Sequence, residues 1–178
     1  SEQMLERVGS NDDRWSFGVL RYFNPIGAHE SAAIGERPNG IPANLLPYID
    51  RVATGSLPEL VVYGDDYPTP DGTGVRDYIH VMDLAEGHVR SLDAIEATGQ
   101  GHTVNIGTGQ GYSVLEVIRA YEAVSGIKIP YRVAPRRAGD VAVYLADATL
   151  AREVLGFETK RDLFDMCRSN WAWIQKDA

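Results

Sequence analysis

Short apolar runs alternate with capped helical patterns along this entire chain, and that alternation restricts the fold more than any other feature. Phe17-Gly18-Val19-Leu20-Arg21-Tyr22-Phe23, Leu60-Val61-Val62-Tyr63, Val75 to Val81 and Thr103-Val104-Asn105-Ile106 are rich in β-branched and aromatic residues. They are too short for helices and suit buried strands. Ile129 to Val133 also reads as extended. Between these runs lie helix signals. Ser113-Val114-Leu115-Glu116 is a capping box, and Gly126 is the matching stop. Asn44 is expected to cap a helix running to Thr54, with Pro47 in its first turn. Asp83 is expected to cap a helix with Leu84, Ala85, Val89 and Leu92 on one side. Asp147 caps another that ends at Gly156. A last helix from Thr159 carries the inner stripe Leu163, Met166, Cys167, Asn170, Trp171 and Ile174. Met4, Leu5 and Val8 have helical spacing, with Gly9 as a stop. Asn24-Pro25-Ile26-Gly27 is expected to break the first strand, and residues 28–42 and 64–74 read as loops. Strand alternating with helix predicts an α/β fold.

Composition narrows the function classes. The 178 residues suit one domain or part of a larger one, and 44% hydrophobic content supports a sizeable core. A formal net charge of −8 with no long Lys/Arg cluster argues against nucleic acid or a bilayer as partner. No apolar run reaches the ~20 residues of a membrane span. The single cysteine, Cys167, forms no internal disulfide and fits a reducing cytoplasm. His29, His80, His88 and His102 are scattered without ligand spacing, so no metal site is expected. Ser1-Glu2-Gln3-Met4 is neither a signal peptide nor an ordinary initiator, and the chain reads as a fragment beginning inside a helix.

Several motifs have two readings. Gly107-Thr108-Gly109-Gln110-Gly111 follows a strand and precedes a helix, as a dinucleotide loop does. Tyr112 stands where the third glycine of G-x-G-x-x-G belongs, so a tight turn feeding the capped helix is favoured. Asp71-Gly72-Thr73-Gly74 lacks the later ligands of a calcium loop and reads as a turn. Arg76, Arg136 and Arg137 are candidate phosphate ligands, because a guanidinium is permanently charged and donates in pairs. Taken alone, each is more often a solvated or salt-bridged surface residue.

Longer segments carry a resemblance. Arg21-Tyr22-Phe23-Asn24-Pro25-Ile26-Gly27-Ala28-His29, the stretch Gly40-Ile41-Pro42-Ala43-Asn44-Leu45-Leu46-Pro47-Tyr48-Ile49, the run from Tyr63 to Ala85 and Ala134-Pro135-Arg136-Arg137-Ala138-Gly139-Asp140 resemble signatures of UDP-galactose 4-epimerases. These enzymes belong to the extended short-chain dehydrogenase/reductase superfamily. The resemblance implies that residues 1–178 form the C-terminal nucleotide-sugar-binding portion of a Rossmann-type fold, including segments that complete the Rossmann half. The family's Gly-rich loop and Tyr-x-x-x-Lys pair have no match here, so no catalytic residue is expected in this chain. By position, the resemblance implies that Arg76 and Arg137 grip a diphosphate, with Arg136 contributing much less. Asp140 would accept ribose hydroxyls, and Val61 and Tyr63 would flank uracil. Asn24, Asn44 and Leu45 would line the phosphate–hexose region. Tyr144 would stand near the hexose and Tyr22 near the nicotinamide end of NAD. The implied partners are a UDP-sugar, a missing N-terminal half that holds most of the NAD, and a second copy in a homodimer. The alternatives are another nucleotide-sugar epimerase, decarboxylase or dehydratase, or a catalytically inactive binding module.

Overall fold

The computed structural model describes residues 1–40 and 42–177, so Ile41 of the 40–49 segment lies outside the described residues. In chain order the elements are α1 (Glu2–Asn11), β1 (Gly18–Tyr22), β2 (Asn24–Ile26), α2 (Leu45–Ala53), β3 (Leu60–Tyr63), β4 (Val75–Arg76) and β5 (Tyr78–His80). There follow α3 (Val81–Thr98), β6 (His102–Ile106), β7 (Tyr112–Ser113), α4 (Val114–Ser125), β8 (Tyr131–Ala134), β9 (Val143–Tyr144), α5 (Thr149–Leu155) and α6 (Leu163–Asp177). The α/β expectation holds. Three parallel pairs, β1 with β6, β2 with β5 and β3 with β8, carry most of the strand pairing. A small sheet sets β4 between antiparallel β7 and parallel β9. No helix among the described residues is long and apolar enough to cross a membrane.

Two strand expectations are corrected. The first strand does end, at Tyr22, but Asn24-Pro25-Ile26 is itself a strand with a new partner. The Phe23 N–H donates to the Ile106 carbonyl at 3.3 Å and the Asn24 N–H to the Asp77 carbonyl at 3.0 Å, so the chain passes from β6 to β5 within one residue. Pro25 is tolerated because alternate residues of a parallel strand bond to opposite sides, and its missing N–H faces away from β5. The Val75–Val81 run also divides. Asp77 is fully buried at the break, with β4 and β5 entering different sheets on either side.

Helix ends differ where side chains found partners distant in sequence. His80 caps α3 through Nδ1, which accepts the Met82 N–H at 3.0 Å. The expected cap Asp83 instead lies inside the first turn, accepting the Lys160 and Arg161 N–H groups, both at 3.0 Å, and pairing with the Arg161 guanidinium. Of the side expected to face inward only Leu84 is buried; Ala85, Val89 and Leu92 are exposed, and α3 buries Asp83, Gly87 and Ser91 beside Leu84. Ala148 is the N-cap of α5, although Asp147 still accepts the Thr149 N–H at 3.0 Å. α6 starts at Leu163 rather than Thr159, behind a reciprocal pair in which Asp162 and Asp165 accept each other's N–H. α1 runs through Gly9 to Asn11. The Ser113–Glu116 capping box forms as expected, with Gly126 as C-cap.

The larger core cluster packs α2, α4 and α6 against β3, around Ile49, Leu60, Val117, Tyr121, Met166 and Cys167. Burying each large apolar side chain there contributes about 1.5–3 kcal/mol. Burial also pushes the Cys167 thiol up to about 12, which keeps it neutral and unreactive. A smaller cluster around Ile79, Val104, Ile106 and Phe157 backs β5 and β6. The strand ends between these clusters open onto the site.

Candidate functional site

A cleft of about 300 Å³ lies where the end of β3, the β1–β2 junction, the start of α2 and the segment after β8 meet. Asn24, Asn44, Leu45, Val61, Tyr63, Arg76, Arg137 and Asp140 all line it. These residues are spread over more than a hundred positions of sequence, and the fold brings them together. Along β3 the side chains alternate, so Leu60 and Val62 enter the core while Val61 and Tyr63 share the other face.

Arg76 is held in place. Its Nη1 donates to the Val75 and Val141 carbonyls, each at 2.9 Å, and its Nη2 lies 3.6 Å from Asp140. Asp140 closes a turn by donating its N–H to the Arg137 carbonyl at 3.3 Å. The Arg137 guanidinium rests over the Tyr63 ring, 3.9 Å from the centroid, and makes no ion pair among the described residues. Its charge is therefore available to a ligand. Arg136 turns the other way, over Tyr67 at 4.1 Å and onto Asp66 at 2.6 Å. Two arginines against one carboxylate make the cleft locally positive on a chain of net charge −8.

Asn44 precedes α2 without a side-chain cap bond. Its amide donates to Glu36 at 3.1 Å instead, and the N-terminal end of α2 at the cleft favours an anion. Tyr78 and Tyr67 form the inner wall. Burial pushes the Tyr78 phenol above its ordinary value, so it remains protonated. Neither these two tyrosines nor Phe23 was singled out for the site in the sequence, because each reads there as an ordinary core aromatic.

Tyr144 and Tyr22 do not line the cleft. Tyr144 stands beside it at the end of β9, stacked on Phe23 with 5.0 Å between ring centroids, and Phe23 does line it. Tyr22 lies on the other side of the strand, half exposed, with its hydroxyl 2.7 Å from His88 Nε2. His88 Nδ1 faces the Leu84 carbonyl at 2.8 Å, which makes Nδ1 the donor and leaves Nε2 to accept from Tyr22.

The Gly107–Gly109 turn binds an anion from its own chain. Asp77 accepts the Thr108 N–H at 2.9 Å, the Thr108 hydroxyl at 2.7 Å, the Gly109 N–H at 2.8 Å and the Ala146 N–H at 3.1 Å. A Cβ on Gly107 would stand 2.9 Å from that carboxylate and 2.4 Å from the Ala146 Cβ. Asp77 thus uses the N–H groups of this turn, as the reading of a tight turn rather than a dinucleotide loop expects.

The sequence model of the NAD dependent epimerase/dehydratase family matches residues 1–107 of the chain. The chain belongs to the NAD dependent epimerase/dehydratase family. Within this epimerase/dehydratase family it is 57% identical to the UDP-glucose 4-epimerase of Neisseria meningitidis serogroup B, over 99% of this chain and 53% of that protein. The UDP-glucose 4-epimerase structure from Stenotrophomonas maltophila, with bound NAD and formylated UDP-arabinopyranose, superposes with a TM-score of 0.95 at 53% identity, covering 99% of this chain and 52% of that one. The Bifidobacterium longum UDP-glucose 4-epimerase in complex with NAD+ and UDP gives a TM-score of 0.92 at 54% identity, with coverage of 99% and 52%. The chain therefore spans about half the length of the relatives it matches.

Proposed function

We propose that this epimerase/dehydratase chain is the nucleotide-sugar-holding half of a UDP-glucose 4-epimerase, and that the whole protein interconverts UDP-galactose and UDP-glucose. The observation that carries this reading is the convergence of Arg76, Arg137 and Asp140 at one end of a cleft that also presents Val61 and Tyr63. A nucleoside diphosphate needs that set. Arg76 and Arg137 neutralise the diphosphate, Asp140 accepts from ribose hydroxyls, and the β3 face receives uracil. Asn24, Asn44 and Leu45 serve the phosphate–hexose junction, while Tyr144 and Phe23 lie toward the sugar.

Epimerisation at C4 through a 4-keto sugar requires the hexose to turn over while UDP stays fixed. This chain supplies the fixed grip. The chemistry that NAD would supply in the whole protein is hydride transfer at C4, and a tyrosine–lysine pair from the other half would handle the 4-hydroxyl proton. Tyr22, oriented by His88, faces the nicotinamide end. β1 pairs only with β6 among the described residues, and its free edge, beside α1 and α3, completes the Rossmann sheet of the other half. The whole protein works as a homodimer in the cytoplasm.

Calorimetric titration of UDP into this chain is the direct test. UDP is expected to bind, and Arg137→Ala is expected to weaken it by about 1.5–3 kcal/mol, the worth of hydrogen bonds to a charged group. An absence of binding, or an unchanged affinity in Arg137→Ala, rejects this use of the cleft.

A further inference from the structure

We propose that Arg136 is a positioning residue: it locks the loop after β8 onto the loop after β3 so that its neighbour Arg137 faces the diphosphate. This rests on the reading that the cleft takes UDP.

The two loops leave neighbouring strands. β3 and β8 run parallel, with Tyr63 opposite Ala134, and the Gly64 N–H donates to the Ala134 carbonyl at 2.8 Å. Beyond that rung the backbones separate, and side chains must hold them. Arg136 does so in three ways. Its Nε donates to Asp66 Oδ1 at 2.6 Å, its Nη2 donates to the Asp66 carbonyl, and its guanidinium covers the Tyr67 ring. Tyr67 is itself buried, so this contact ties the latch to a fixed wall of the cleft.

Gly64 makes the arrangement possible. Its φ is +83°, and a Cβ there would stand 2.6 Å from the Tyr67 ring and 2.8 Å from Arg136 Cγ. Consecutive arginines then divide the work. One is spent on Asp66 and Tyr67, and the other is left over Tyr63 without a carboxylate partner among the described residues.

An exposed ion pair alone contributes little. Here the guanidinium reaches side chain, backbone and ring together, which sets a direction as well as a charge. The loop that Arg136 fastens also carries Asp140 and the Val141 carbonyl that receives Arg76. A slack loop would therefore disturb both phosphate-directed arginines.

The test is UDP and uridine titration, by calorimetry and ligand-detected NMR, of Arg136→Ala, Arg136→Lys, Asp66→Ala and the Arg136→Ala/Asp66→Ala double variant. Positioning predicts that Arg136→Ala loses UDP affinity by about 5-fold, less than Arg137→Ala, that Arg136→Lys and Asp66→Ala lose less than Arg136→Ala but measurably, and that uridine, which meets this loop only through Asp140, loses less than UDP in every variant. The double variant should be no worse than Arg136→Ala, since Asp66→Ala removes one of the contacts that Arg136→Ala removes altogether. The sign for Asp66→Ala is decisive. Removing a negative charge should tighten anion binding if charge alone matters, and should weaken it if the latch matters. Arg132→Ala, which cuts an exposed pair with Glu59 at the other end of the same strands, is the control and should change nothing. Tighter UDP binding by Asp66→Ala, or full affinity in Arg136→Lys, overturns the proposal. Equal losses for UDP and uridine also overturn it, by showing general damage. If Arg136→Ala does not fold, Asp66→Ala and Arg136→Lys still decide. Failure of the wild-type chain to bind UDP rejects the cleft itself, whereas UDP binding that responds to Arg137→Ala alone rejects only the latch.

Discussion

Tyr144 shows how little of a residue's role lies in its own chemistry. Half of its surface is open, and its ring is held in place by stacking on Phe23. Under the proposed function, that packed pair forms a rigid wall beside the hexose. An N-acetyl group at C2 is much bulkier than a hydroxyl and should be excluded. In the whole protein, Tyr144→Cys is expected to shift the ratio of kcat/KM values toward UDP-N-acetylgalactosamine. It should also lower activity on UDP-galactose, because a loosened sugar is misplaced. Steady-state kinetics on the two sugars measure this, and an unmoved ratio makes Tyr144 a structural residue.

At the scale of elements, α2 matters most, since it brings Asn44 and Leu45 to the cleft. It is tied into the core through Asp50, whose Oδ1 accepts the Tyr121 hydroxyl at 2.7 Å from α4 and the Asn170 amide at 2.6 Å from α6. Oδ2 is buried without a partner. Burial pushes the Asp50 carboxyl up to about 7, outweighing the two hydrogen bonds that favour its charge, and Glu36 adds repulsion. The unfolded value is about 3.9. Between these values the folded chain binds the proton and the unfolded chain does not, so this group's stabilisation falls as pH rises through that window. Asp50→Asn removes the dependence. The variant should gain on wild type by up to about 4 kcal/mol on going from pH 4 to pH 8. Urea unfolding of both proteins at the two pH values checks this, and a constant difference between them would refute the assignment.

At the scale of the molecule, the proposed division of labour has a direct consequence. Neither a Gly-rich dinucleotide loop nor a Tyr-x-x-x-Lys pair occurs in the 178 residues. The Gly107–Gly109 turn that comes closest is filled by Asp77. This chain alone, assayed with UDP-galactose and added NAD, is expected to show no turnover. Activity well above a buffer blank, in protein free of contaminating epimerase, would falsify that expectation.

The alternation of the longer strands with helices, the capping box at Ser113 and Glu116, and the apolar stripe of α6 were legible in the sequence, whereas the short strands β2, β7 and β9 were not. Each rests on local physics: the periodicity of burial, the competition of short polar side chains for helix-end N–H groups, and the conformation open to glycine. The segments around Arg76 and Arg137 are marked as phosphate-directed by their resemblance to the epimerase signatures, since taken alone an arginine is as readily a solvated surface residue. Local physics could not choose between Asp83 and His80 as the cap of α3, because Asp83 is taken by Lys160 and Arg161, nearly eighty positions away. It could not foresee that Asn24-Pro25-Ile26 would become a strand, which required β5 as a partner. Nor could it distinguish Arg136 from Arg137, adjacent residues of the same type. The resemblance sets them apart by position, but the physical reason lies in the folded positions of Asp66, Tyr67 and Tyr63, because what an arginine does is set by which carboxylate or ring lies within reach, and that depends on contacts between distant parts of the chain.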